Sequence, residues 1–143
     1  MIRRAVVIAA TIAGIFVAGF WVGSENAAQG LPKGRVFELR TYTANEGKLP
    51  ALQARFRDHT TGIFEKHGMK NVGYWVPTDA PASENTLIYI LSFPDREAAK
   101  KSWAAFMDDP EWKKAQQESE TNGKLVGKVD SVFLEATDYS PIK

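Results

Sequence analysis

Three side chains able to bind or protonate a ligand stand at alternate positions of one short stretch: Glu38, Arg40 and Tyr42. Alternation places them on one face of an extended strand. A buried arginine requires a carboxylate or a ligand anion beside it. Arg40 therefore reads in two ways. It holds an acidic or enolic ligand while Tyr42 donates a hydrogen bond, or it closes an internal or intersubunit pair with Glu38. The two histidines, His59 and His67, are eight residues apart in a helical stretch, which is about 12 Å along the axis at 1.5 Å per residue. That is too far for one metal ion, and no metal site is expected. Either histidine is of a type that ligates haem or acts as a base near neutral pH. Either also suits a packed or rim position, His67 as a favourable helix C-terminal residue. No resident cofactor is expected, haem being the one the histidines leave open. The absence of cysteine removes disulfides, thiolate zinc sites, iron–sulfur ligation and thiol nucleophiles together. No nucleophile triad or phosphate-binding loop appears.

The elements that must position these residues are legible from periodicity. A strand runs from about Arg35 to Thr43, with Val36, Glu38, Arg40 and Tyr42 alternating against Phe37, Leu39 and Thr41. After the turn Asn45-Glu46-Gly47, a helix spans roughly Lys48 to Lys66. Leu49, Leu52, Phe56, His59, Ile63 and His67 recur on it at steps of three and four. Pro50 confines the helix start to its neighbourhood, and Gly68 provides a left-handed stop. A second strand covers Lys70 to Pro77, with Val72, Tyr74 and Val76 alternating against Asn71, Gly73 and Trp75. Thr78 to Glu84 is a loop. A third strand, Asn85 to Phe93, contains the unbroken run Leu87-Ile-Tyr-Ile-Leu91. Pro94-Asp95 opens a second helix with Ala99, Trp103 and Phe106 as its stripe. Asp109-Pro110-Glu111 restarts it as cap, first helical position and dipole-favoured acid. Asn122-Gly123 ends it, and Val126 to Ala136 forms the last strand.

The order β-α-β-β-α-β is the split, ferredoxin-like pattern of an α+β protein with a four-stranded antiparallel sheet. Two helices cover one face of such a sheet. Glu38, Arg40 and Tyr42 are assigned to the other face. The third strand is apolar on both sides, so that open face needs a cover. A second copy packed sheet to sheet meets the need as a closed two-chain barrel. Tyr89, on the apolar strand, then joins Arg40, Tyr42 and His59 as a candidate ligand contact, whereas Trp75, Trp103 and Trp112 read as packing.

The chain has 143 residues and a formal net charge of +1. One domain is expected, and no field that would draw in nucleic acid. Lys100-Lys101 and Lys113-Lys114 read as solvated helix faces. Ahead of the domain, Met1-Ile2-Arg3-Arg4 is a basic head, Ala5 to Gly23 is free of charge, and Ser24 to Gly30 is small and polar. This pattern makes residues 1–29 either a removed export signal or a retained membrane anchor. Basic residues lie before the apolar run, so the domain is expected outside the cytoplasm, periplasmic or extracytoplasmic. Residues 30–34 form a linker and 35–141 the domain.

Within the domain, Glu38-Leu-Arg-Thr-Tyr42, Gly47-Lys-Leu49, Gly73-Tyr-Trp75, Asp109-Pro-Glu-Trp112 and Asp138-Tyr-Ser-Pro141 follow in order. In these segments the chain resembles the NIPSNAP domain from Arg35 to Pro141. The resemblance implies a dimeric α+β barrel, in a superfamily that also holds cofactor-independent monooxygenases, haem-handling proteins and small-molecule isomerases. It implies no single activity. The third strand departs from the family, with Tyr89 and Leu91 where many members carry histidine and tryptophan. Two functions follow as expectations. One is an exported or membrane-tethered homodimeric module that binds a small ligand or protein. The other is a cofactor-independent oxygenase or isomerase acting on a small aromatic or enolic substrate.

Overall fold

The computed structural model describes residues 34–143, so the expected signal or anchor at 1–29 and most of the linker lie outside the described residues. Strand β1 (Val36–Ala44) leads into a helical rod made of α1 (Leu49–Arg55), a π-helical turn (Phe56–Thr60) and α2 (Thr61–Lys66). β2 (Lys70–Trp75), a short helix α3 (Ala82–Asn85) and β3 (Thr86–Phe93) follow. Helices α4 (Arg96–Asp108) and α5 (Pro110–Ser119) then lead to β4 (Val126–Glu135). The strands form one antiparallel sheet in the order β2-β3-β1-β4. This is the expected α+β arrangement with helices on one face. Among the described residues no helix is long and apolar enough to cross a membrane.

Local chemistry sets the boundaries. Gly68 takes φ +75° where the rod ends, a conformation that costs a residue with a Cβ. The Asp95 side chain caps α4 by accepting from the Ala98 amide at 2.7 Å. Asp109 caps α5 by accepting from Glu111 and Trp112 amides at 2.7 and 3.4 Å. Pro110 occupies the first turn of α5, where no amide donor is needed.

The core lies between sheet and helices. Leu52, Phe56, Ile63 and Phe64 from the rod and Ala99 and Phe106 from α4 close over Leu87, Tyr89, Leu91 and Phe93 of β3. Two expectations are corrected here. The first concerns the helical stripe. In the π turn the Thr61 amide bonds back to the Phe56 carbonyl, and the Thr60 hydroxyl donates to the Arg55 carbonyl at 3.2 Å. The wider turn shifts the inward position from His59 to Thr60, which is buried while His59 is exposed. The second concerns the faces of β1. Glu38, Arg40 and Tyr42 point toward the helices, not toward the open face: Trp103 of α4 bonds Glu38, and Tyr42 packs edge to face on Phe56. Tyr89 faces the same way, against Phe56 and Phe64. The polar row is tolerated in the interior because donors from α4 and β4 meet it.

The open face therefore carries the other alternation: Phe37 and Leu39 on β1, Ile88 and Ile90 on β3, and Val132 and Leu134 on β4. Val132 remains 54% exposed. The strand β2 also departs from strict alternation. Its register shifts between Asn71 and Gly73. Asn71 and Tyr74 thereby both face the rod, Asn71 donating to the Thr61 carbonyl at 3.0 Å and Tyr74 to the Asn71 side chain. The Trp75 ring lies directly on Gly73, where a Cβ would sit 2.5 Å from the indole.

Candidate functional site

The sheet register sets Arg40 of β1 opposite Tyr89 of β3 and Ser131 of β4, and α4 lowers Trp103 onto the group. Glu38, 2% exposed, is the anchor. Its Oε1 accepts from Arg40 Nη1 at 2.7 Å and from Ser131 Oγ at 2.6 Å. Its Oε2 accepts from Trp103 Nε1 at 2.6 Å. Three donors on one carboxylate, one of them charged, answer the cost of burying it. The Arg40 guanidinium lies 4.2 Å from the Trp103 ring centre and 5.6 Å from that of Tyr42, within cation–π range.

Aromatic rings enclose the rest. Tyr42 meets Tyr89 edge to face with centroids 5.3 Å apart, and Tyr74 stacks on Tyr89 at 5.4 Å. Two donors here lack an acceptor: Arg40 Nε and the Tyr89 hydroxyl are buried and unpartnered. Burial pushes the Tyr89 phenol well above its ordinary value, and nearby Tyr42 adds to this without meeting the hydroxyl in hydrogen-bond geometry. Burial also raises the Tyr74 phenol. For Arg40, burial pulls the pKa down, but Tyr42, Tyr89 and Glu38 outweigh it and the net direction is up. The guanidinium is thus a fixed positive charge and the phenols are fixed donors.

Of the four residues marked from sequence, the fold gathers three, Arg40, Tyr42 and Tyr89, on the helix-covered face. His59 is apart from them. It lines a surface groove of about 350 Å³ between the rod and α5, together with Asp58, Glu111, Lys114 and Glu118. His67 is occupied differently: its Nε2 lies 2.6 Å from Asp109 Oδ2, which also takes Lys66 Nζ at 2.9 Å. The Asp109 carboxyl is held well below its ordinary range, first by Lys66 and then by His67. Among the described residues no group of three or more His, Cys, Asp or Glu side chains could hold a metal ion. Sequence reasoning passed over the roles of Trp103 and Ser131. Trp103 sits on a helical stripe that signals packing, and nothing local to Ser131 reveals that it lies opposite Arg40.

A helix-covered antiparallel sheet of this strand order, with a polar cluster between sheet and helices, defines a ferredoxin-like α+β domain. The NIPSNAP family model matches residues 37–141, and the chain belongs to that family. No curated protein is similar enough in sequence to match. Among solved structures, a NIPSNAP family protein of unknown function from Agrobacterium tumefaciens superposes with a TM-score of 0.66 at 23% identity, over 77% of this chain and 95% of its own. An uncharacterised NIPSNAP-like domain protein from Burkholderia xenovorans gives 0.65 at 18%, over 75% and 89%. SnoaB, a cofactor-independent oxygenase from Streptomyces nogalater, gives 0.50 at 13%, over 76% and 98%. At these identities the likeness is one of fold.

Proposed function

We propose that this NIPSNAP chain is an exported or membrane-tethered module that binds a small ligand or protein partner and pairs with a second copy of itself. The observation that carries the binding reading is the state of the only carboxylate in the polar cluster. Glu38 is engaged by Arg40, Trp103 and Ser131, so no free acid–base pair remains beside Arg40. Tyr42, Tyr89 and Phe56 fill the adjoining space against one another. Such packing offers no free base for proton transfer, which favours a binding role over catalysis. Pairing is supported by the open face, where Leu39, Ile88, Ile90 and Val132 form an apolar surface across the three strands β3, β1 and β4. Export is supported by the basic head and charge-free run of residues 1–23.

A second reading, a cofactor-independent oxygenase or isomerase for a small aromatic or enolic substrate, draws on one observation. Arg40 Nε and the Tyr89 hydroxyl are buried donors without acceptors, the equipment an enolate oxygen would meet.

Tyr89→Phe tests the binding reading, because it removes one unpartnered hydroxyl and leaves the ring. The wild type, purified from its own host, should retain a small molecule, and the full-length variant should fold and pair as before yet lose it. Retention of that molecule in undiminished amount would remove Tyr89 from the site. Turnover of an aromatic substrate that Tyr89→Phe abolishes would favour the enzyme.

A further inference from the structure

A cleft of about 310 Å³ opens where the β4 edge parts from α4 and α5, beside the polar cluster and with Tyr42 as its inner floor. The volume lies in the range of small-molecule sites. Its apolar surface comes from Tyr42, Met107, Val126 and Val129. Met107 and Val129 are left exposed there. Three cations, Arg55, Lys124 and Lys128, line it against one carboxylate, Glu120.

The inner wall is unusual. Arg55 is buried, its side chain only 3% exposed, although it stands on a helix face otherwise given to packing. Its Nη1 donates to Glu120 Oε1 at 3.1 Å and to Ser119 Oγ at 3.3 Å. Its guanidinium carbon lies 5.0 Å from the Trp112 ring centre. Both neighbours retain a buried donor with no acceptor: Arg55 Nε and Trp112 Nε1. A buried donor left without an acceptor is destabilising, and here two occur on adjacent side chains of one cleft wall.

We infer that this cleft is a ligand site for a compact apolar or aromatic carboxylate. The hydrocarbon part lies on Tyr42, Met107, Val126 and Val129. The carboxylate turns toward the Arg55–Trp112 wall, where its oxygens supply the acceptors that the two N–H groups lack. Lys124 at the β4 end favours an anion over its neutral analogue; Lys128 is engaged by Asp130 at 2.8 Å. This assignment rests on the binding reading above and names the ligand class for it.

The test is a calorimetric titration of the full-length chain with 1-naphthoate and with neutral 1-naphthamide. Naphthoate should bind, and at least tenfold more tightly than the amide. Trp112→Phe keeps the ring and removes the donor; it should weaken naphthoate about tenfold, the effect of one hydrogen bond to a charged group. Lys124→Gln, at the cleft rim, should weaken naphthoate a few-fold without shifting the unfolding midpoint, and it reads the cleft even if Trp112→Phe fails to fold. Equal binding of amide and naphthoate, no binding of naphthoate, or affinity untouched by both variants would overturn the assignment. Naphthoate binding lost in Tyr89→Phe but intact in Trp112→Phe and Lys124→Gln would overturn the cleft while leaving the binding module standing. Naphthoate binding weakened by Trp112→Phe and Lys124→Gln but untouched by Tyr89→Phe would place the ligand in the cleft and take Tyr89 out of the binding site.

Discussion

Glu38 and Arg40 are each other's condition for being inside. A buried carboxylate without a charged partner is costly, and removing one member of such a pair leaves the other uncompensated. Arg40→Met should therefore destabilise the domain by about 3 kcal/mol, read as a lowered urea midpoint at unchanged slope, even though Trp103 and Ser131 still donate to Glu38. Tyr89→Phe is the contrasting case. Its hydroxyl has no acceptor, so its removal should leave stability equal or raise it by about 1 kcal/mol. The two substitutions sit on neighbouring strands at paired positions, and opposite signs for them would show that the cluster is held by Glu38 and not by the phenol. At this scale the sequence was informative about residue type and silent about partners. The Glu38–Arg40 spacing announces a shared face. That Ser131, some ninety residues away in the chain, completes it depends on strand register, which no local pattern encodes.

Elements show a similar division. Helix ends are written in short-range chemistry, and Gly68, Asp95 and Asp109 stand where cap and stop residues are expected. The face of β1 was not legible, because alternation has period two and no sign: it separates Glu38, Arg40 and Tyr42 from Phe37 and Leu39 without saying which set meets the helices. The usual assumption that polar residues face outward failed because Trp103 and Ser131 satisfy the carboxylate inside. The π turn was equally hidden, since one widened turn moves the stripe from His59 to Thr60 with no compositional signal beyond the Thr60 hydroxyl. Asp109 ties two elements together, capping α5 while receiving Lys66 and His67 from the end of the rod. Its carboxyl is held below the ordinary 3.8. A depressed folded value gives stability that is present above the unfolded value and lost as pH falls through the folded one. Asp109→Asn keeps a capping side chain but loses the charge. The unfolding midpoint of the wild type should exceed that of Asp109→Asn at pH 6, and the gap should narrow below about pH 4. A gap that stays constant from pH 6 to pH 2 would show that the charge contributes nothing.

For the molecule as a whole, the open face is the basis of the proposed pairing. Phe37 is buried, and with Val72, Ile90, Leu134 and the C-terminal Ala136, Ser140 and Ile142 it lines an open groove of about 310 Å³. Trp75 and Val132 remain more than half exposed. An apolar sheet face of this kind is a liability in isolation and an interface when paired. Val132→Asp places a charge on that face and away from the Glu38 cluster. It should halve the mass seen by sedimentation equilibrium while leaving the circular dichroism of the fold unchanged. The four-stranded α+β domain itself was readable from the order of periodic segments, because strands and helices announce themselves by different periods. The copy number was inferred only from unbalanced apolar area, which names a need and not its partner.

Native mass spectrometry of the full-length chain, purified from its own host, bears most directly on the reading of this protein as a paired binding module. The expected spectrum contains two chains together with a small molecule that is released on denaturation. A single chain, or two chains with nothing retained, would contradict it.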